Sequence, residues 1–416
     1  MLVLVDTPTK KFEDYKKLIP ERHFGQVKSL AKELKGLKVF HVNSTPKGGG
    51  VAEVLKSLIP LMKAVGIEAR WYSMPFDEDF FRVTKKIHNG LQGENVSFSN
   101  KEKELYKKNA KRVAAFIKKK KADVWIMHDP QPAGAIDYLS GDSPFVSRVH
   151  IDTTNPNKEV WDFFVHFLEQ YDKVIFTSKN FIKPGFLREK TLTFTPAIDP
   201  LSLKNKPISL RRAKGIMKSF GINPRFPLIT QVSRFDRWKD PLGIIEAFSL
   251  AKKEIPNLQL ALVGFFLAQD DPEAKKVFQE VEKAARNIND IYLFSDKRVL
   301  SSLRVDSFVR AIQTSSDVIL QKSIREGFGL TVAEAMWKGK PVIGGNAKGI
   351  KLQIEDGKNG FLVSSTKEAS KRIVELIKNP KLADKLGKEA KSTVREKFLT
   401  PRLLRDYLKL IKELSS

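Results

Sequence analysis

Short apolar, β-branched runs alternate along this chain with stretches of helical period, the pattern of parallel sheets wrapped by helices. It predicts strands at residues 37–42, 68–72, 124–127, 146–150 and 174–177, with helices between them. The first of these runs into Lys47, Gly48, Gly49 and Gly50, and a helix is expected from Val51. Two prolines, Pro196 and Pro200, and a basic stretch reaching Lys214 mark a boundary. Beyond it the same grammar resumes, with strands at residues 228–232, 259–263, 291–293, 318–320, 341–344 and 360–363. Helices at residues 382–398 and 401–414 close the chain. The fold expected is α/β, with two doubly wound, Rossmann-like domains. These are residues 1–200 and 201–398, with a terminal helix at 399–416 packing back on the first. Such sheets bind ligands at the carboxyl ends of their strands, and two lobes imply a central cleft.

At 416 residues the chain is too long for one ordinary core, which agrees with two domains. No apolar run is long enough to span a bilayer, and the opening MLVLVD is too short for a signal peptide, so neither membrane nor export is expected. With zero Cys there is no disulfide framework, thiolate metal site or cysteine nucleophile, and a cytoplasmic location is expected. Abundant Lys and Glu point to a heat-adapted, thermophilic source. The formal net charge of +26 invites a nucleic-acid reading. The tightest basic run, however, Lys118 to Lys121, ends an amphipathic segment and reads as a solvated helix terminus. Without a zinc-finger or RNA-binding signature, no nucleic-acid partner is expected.

Gly48, Gly49 and Gly50 lie where a strand turns into a helix, so their amides can approach an anion or simply make a tight turn. Both readings stand. In the second half, the loop after the 228–232 strand carries Arg234 and Lys239. At a strand's carboxyl end they can grip a diphosphate, Arg as a planar fork and Lys as a point charge. Pairing with Asp236 or Asp240 is the bland alternative. After the 318–320 strand come Glu326, Gly327, Phe328, Gly329 and Leu330, then Glu334. The glycines permit a close-fitting loop whose amides open a helix near Leu330, an anion site favoured by the helix dipole. Glu326 is expected at a sugar and Glu334 at another polyol such as a ribose. Taken singly, each also reads as a capping or surface residue. Among the six His, His128 and His150 follow first-lobe strands and form no evident metal set.

This constellation resembles the retaining glycosyltransferases of family 4, enzymes of GT-B fold. They carry two Glu separated by seven residues, matched by Glu326 and Glu334, and an Arg and Lys five apart, matched by Arg234 and Lys239. The resemblance runs nearly end to end and is closest, within that family, to the trehalose synthases that transfer glucose from a nucleotide-glucose to free glucose. The stretches that carry it are His41 to Pro46 with the glycines, Met127 to Pro132, Arg148 to Asp152, Gln231 to Pro241, and Leu320 to Glu334. Ser233 stands where Gly is common, and Pro196 to Asp199 replaces the usual Asn-Gly-Val-Asp hinge.

By resemblance, Glu326 lies at the donor sugar, Glu334 binds ribose, and Arg234 and Lys239 hold the leaving diphosphate with Gly327, Phe328, Gly329 and Leu330. His150 stands near the transferring carbon as a fourth catalytic residue beside Glu326, Arg234 and Lys239. Asn43, Gly48, Gly49, Gly50, His128 and Asp152 are expected on the acceptor side. The implied substrates are glucose and UDP-, ADP- or GDP-glucose, in a reversible reaction. No cofactor is required for the chemistry and no metal is held by the protein, any Mg entering only as a counterion to the diphosphate. A homodimer is compatible with the sequence. A trehalose phosphorylase, a family 4 glucosyltransferase with another acceptor, and more remotely a nucleotide-sugar epimerase share much of the pattern.

Overall fold

The structure, a computed structural model, describes residues 2–265 and 274–415. The described residues of Met1–Pro196 and Thr400–Ser416 form one compact unit, and those of Ala197–Leu399 another. The chain therefore crosses between the units twice, at Pro196–Ala197 and at Leu399–Thr400.

Unit 1 is built on strands β1 (Val3–Leu4), β2 (Lys38–Asn43), β3 (Glu68–Ser73), β4 (Val124–His128), β5 (Phe145–Val149), β6 (Lys173–Phe176) and β7 (Thr191–Thr193). Their order in the sheet is β1-β3-β2-β4-β5-β6-β7. All neighbours are parallel except β1, which pairs antiparallel with β3. Strands β4 and β5 are buried along their whole length, as a sheet covered on both faces requires. The helix Lys158–Gln170 shows how the faces are covered: Val160, Trp161, Phe164, Phe167 and Leu168 recur at helical spacing and are buried. The helix Asn100–Ile117 begins in a capping box between Ser99 and Glu102. Its residue Tyr106 accepts a hydrogen bond from Gly134 N at 2.9 Å and donates to Pro130 O at 2.6 Å, fixing the segment that follows β4.

Unit 2 contains β8 (Leu228–Val232), β9 (Gln259–Val263), β10 (Ile291–Phe294), β11 (Val318–Gln321), β12 (Val342–Gly345) and β13 (Phe361–Val363). All are parallel, in the order β10-β9-β8-β11-β12-β13. Counted from β8 this is 3-2-1-4-5-6, the doubly wound order, with its switch point between β8 and β11. In unit 1 the direction of winding reverses between β2 and β4.

Two strands escaped the hydrophobic pattern. β1 spans two exposed residues within the apolar opening Leu2 to Val5, which was not read as a strand, and β7 spans three, Thr-Leu-Thr, none buried, too short a run to read. β5 ends at Val149, one residue short of the predicted end, and His150 lies just beyond the strand. Lys118 caps the helix Asn100–Ile117 as the charge pattern suggested. The terminal helix Thr400–Leu414 is part of unit 1. Its buried Arg402 donates to Thr195 O at 2.7 Å and to Pro196 O at 3.2 Å.

Candidate functional site

The switch point of unit 2 brings together the loops that leave β8 and β11. Lys239 Nζ lies 2.7 Å from Glu326 Oε2, and the two side chains retain only 15% and 12% exposure. Ser323 Oγ donates to the same carboxylate oxygen at 3.3 Å. Flanking contacts brace the pair. Arg325 stacks its guanidinium 4.4 Å from the Trp238 ring centroid. Ile324 N donates to Trp238 O at 2.8 Å, and Gln231 Nε2 to Lys239 O at 2.8 Å. Asp240, in the left-handed conformation at φ 51°, caps the helix Pro241–Lys252 through Gly243 N and pairs with Lys322. The bland pairing therefore holds only for Arg234, half-exposed with Asp236 at 3.6 Å, whereas Lys239 turns to Glu326.

Gly329, at φ 84°, opens the helix Leu330–Trp337, and the left-handed turn there is one that a side chain would strain. Phe328 is buried and packs edge-on against Phe398, so that residue offers the loop its backbone rather than its ring. Gln353 holds the turn by donating to Phe328 O and, at 3.1 Å, to Gly329 O. Gly349 lies directly beneath: a Cβ there would meet Glu326 O at 2.3 Å and Phe328 N at 2.7 Å. Glu334 sits elsewhere on the helix, 5% exposed, with Lys204 Nζ 3.5 Å from its Oε1. One turn on, Lys338 donates to Asn205 Oδ1 at 3.0 Å, and burial lowers its ammonium to about 7. Sequence reasoning gave no role to Lys204, Lys322 or Gln353, since a contact between residues tens of positions apart leaves no local spacing to read, nor to Ser323, which lies only three residues before Glu326 in the stretch from Leu320 to Glu334.

In unit 1 the residues gather at the carboxyl ends of β2, β4 and β5. Three imidazoles form a chain, with His41 Nδ1 3.0 Å from His128 Nε2 and His128 Nδ1 3.0 Å from His150 Nε2. His128, expected at the acceptor, is 1% exposed with both ring nitrogens engaged, so no nitrogen remains for a substrate. Asn43 is likewise committed, accepting from Trp71 Nε1 at 2.7 Å and donating to Thr45 O at 2.7 Å. Asp152 accepts from Thr154 N and Oγ1 in a local turn. Gly48, Gly49 and Gly50 lie between β2 and the helix Gly50–Ala64, whose first residue is the last of the three.

Asp129 takes φ 63° and ψ −177°, a backbone region scarcely open to side chains, and its carboxylate accepts from His150 N at 2.8 Å. Burial pushes its carboxyl up to about 7, with the His150 amide and then Arg148 opposing. Burial also holds His41 down to about 3, and His128 and His150 well below the usual histidine value, so all three rings are neutral. Among the described residues no group of three or more His, Asp or Glu could hold a metal ion, and no helix is long and apolar enough to cross a membrane.

Residues 41–183 match the family described as "Trehalose synthase, N-terminal domain", and residues 213–393 match "Glycosyl transferases group 1". The trehalose synthase of Pyrococcus horikoshii is 44% identical over 97% of this chain and 97% of its own length. The chain belongs to the trehalose synthase family. Its relative from Rubrobacter xylanophilus is 39% identical over 100% of this chain and 99% of that protein. In fold, a UDP-forming α,α-trehalose-phosphate synthase from Burkholderia xenovorans superposes with a TM-score of 0.71 at 11% identity, covering 91% of this chain and all of that one. The architecture is thus that of the GT-B glycosyltransferases, and the protein is a glycosyltransferase of the trehalose synthase type.

Two outcomes follow from this geometry. Gly349→Ala adds a methyl against the Glu326 backbone without touching any charge. Since a shift of about 1 Å at a reacting group can cost about 100-fold, kcat is expected to fall at least about tenfold. Unchanged turnover would mean that the loop absorbs the methyl without moving Glu326. The second outcome is acid lability. An unfolded histidine takes its proton near pH 6.5, whereas folded His41 waits until about 3 and His23, buried beside cationic Arg405, until about 4. Between those values the unfolded state binds more protons, so stability falls as pH falls. Asp129 acts oppositely, keeping up to about 7 a proton that the unfolded chain loses near 4, but the histidines outnumber it. The urea midpoint should therefore drop from pH 7 to 4.5, by roughly 1.4 kcal/mol per pH unit for each net proton. A flat or rising midpoint would contradict the neutral histidines.

Proposed function

We infer that the protein forms trehalose by moving glucose from a nucleotide-glucose to the anomeric hydroxyl of free glucose, with retention. The observation that carries this reading, within the family, is the cationic loop at the unit 2 switch point, with Lys239 held 2.7 Å from Glu326 and Arg234 on the same loop. In it, Arg234, Lys239 and the amides of Gly327 to Leu330 stabilise the charge that grows on the diphosphate as the bond from anomeric carbon to phosphate oxygen breaks. The acceptor oxygen bonds to that carbon from the face the phosphate leaves, and the acceptor proton passes to a phosphate oxygen. No protein nucleophile is needed. Lys239 and Ser323 both engage Glu326 Oε2, which leaves that oxygen poorly suited to a double displacement of the kind paired carboxylates perform in glycosidases. Glu326 instead orients the sugar, and Glu334 takes the ribose hydroxyls. His150 and the glycines before Val51 serve the sugars from unit 1. A protein-held metal has no step in this scheme, and the absence of Cys suits a cytoplasmic enzyme.

The deciding assay incubates the protein with UDP-, ADP- or GDP-glucose, with and without glucose, with EDTA or Mg, and reads the products by NMR. A non-reducing α,α-linked disaccharide that requires glucose and not inorganic phosphate is the expected product, whether or not EDTA is present. Nucleotide release without it would discard trehalose, and turnover only with phosphate would make the enzyme a phosphorylase. Glu326→Ala should lower kcat by about 100-fold or more with nucleotide affinity held, while Arg234→Ala weakens both. Full turnover by Glu326→Ala, or a trapped glucosyl-Glu326, would overturn the role of Glu326 as the group that orients the sugar.

A further inference from the structure

The histidine chain of unit 1 climbs the sheet in regular steps. His41 on β2 is the register partner of Ile126 on β4, and His128 lies two residues beyond Ile126. His128 in turn is opposite Arg148 on β5, and His150 lies two residues beyond Arg148. Because side chains alternate along a strand, all three rings share one face and rise together toward the carboxyl edge. The ring pairs stack at 5.3 Å with interplanar angles of 22° and 20°. His41, at 0% exposure, is the buried end, with Tyr407 edge-on at 5.8 Å, and His150 is the end that retains access to solvent.

Each link between two imidazole nitrogens needs one proton, no more and no fewer. Burial keeps every ring neutral, so each ring carries a single proton. These two conditions leave only two patterns. Either all three rings are protonated on Nδ1, or all three on Nε2, and one ring cannot change without the others. The buried end selects between them. His41 Nε2 has no hydrogen-bond partner among the described residues, so a proton there would be a buried donor with nothing to receive it. Orphaned N–H groups are the rarer fault in folded proteins, and an Nε2 proton is therefore excluded from His41. The same choice then passes along both links to the surface.

We propose that His41 and His128 are positioning residues that lock His150 as the Nδ1–H tautomer, so that His150 presents a hydrogen-bond donor to a hydroxyl or phosphate oxygen of the substrates. The inference rests on the proposed placement of His150 at the reacting sugars. It adds that the ring donates rather than acts as a base, and that this property is set from within the core. Asp129, bonded to the His150 amide, and Arg148, which donates to Phe176 O at 2.8 Å and to Phe194 O, fix the neighbouring backbone without occupying a link of the chain.

The test has two parts that do not depend on each other. In the full-length protein with 15N-labelled histidine at pH 7, NMR should find His41, His128 and His150 all in the Nδ1–H form, assigned by single substitutions. An Nε2–H or mixed population at His150 would overturn the proposal, and this reading holds whatever the enzyme's substrates prove to be. In the trehalose-forming assay, His41→Phe keeps the packing against Tyr407 but removes the donor to His128. It should lower kcat at least tenfold with KM for the donor little changed, because His41 is too deep to touch substrate. His41→Asn places an amide donor near the position of Nδ1 and should restore most of that loss. Equal kcat in the two variants, with the folded state intact by circular dichroism, would show that the ring matters only for packing.

Discussion

The unit 2 site depends on one charge pair. Lys239 and Glu326 stand 87 residues apart in sequence, yet the reversal of winding between β8 and β11 makes their loops adjacent. Both side chains are largely withdrawn from water, so each charge is tolerable only with its partner present; removing one partner of such a pair typically costs several kcal/mol. That mutual requirement fixes how the loops can lie. The residues on either side of Lys239 follow suit: Trp238 takes the guanidinium of Arg325, and Asp240 takes the ammonium of Lys322. A site on two loops thus acquires the definition usually reserved for one built on strands.

Much of this was legible in the sequence, for physical reasons that differ from part to part. The parallel strands of unit 2 are buried on both faces and read as continuous apolar runs, which is why β8 and β9 were placed to the residue. The Glu326 and Arg234 motifs were legible because each lies within a single loop. What could not be read is which charges meet. Lys239 had nearer carboxylates in Asp236 and Asp240, and only the three-dimensional adjacency of β8 and β11 hands it to Glu326. In unit 1, Asn43 and His128 carry residue types suited to binding sugars, but both ring nitrogens of His128 are taken by His41 and His150, and the amide of Asn43 is already held by Trp71 and Thr45. His41 was legible only as the start of a stretch carrying the family resemblance; its link to His128 was not, since that partner lies on a neighbouring strand.

The two units place polar groups at equivalent features of similar sheets and solve the burial problem in opposite ways. Unit 2 keeps its groups charged and pairs them. Unit 1 keeps its imidazoles neutral, where burial drives off the proton and hydrogen bonds between rings replace those lost to water. Asp129 belongs to the same economy, a carboxyl held near neutrality beside the histidines in a backbone conformation that only surrounding contacts maintain.

The contrast bears on how a diphosphate would enter. Arg234 is half-exposed and its contact with Asp236 is 3.6 Å, the kind of surface pair worth about 0–1 kcal/mol, so giving up that carboxylate for an anion would cost little. Lys239 is different. Its bond to Glu326 is short and shielded, and surrendering it outright would strand a carboxylate away from water. To serve the proposed diphosphate site, Lys239 would have to keep Glu326 while reaching the phosphate with another of its three N–H groups, a geometry open to an ammonium and closed to a guanidinium already engaged as a fork. On the proposed reading the Arg and the Lys of the loop would not be interchangeable: the first would supply the exchangeable charge, and the second would tie the diphosphate to the carboxylate proposed to orient the sugar.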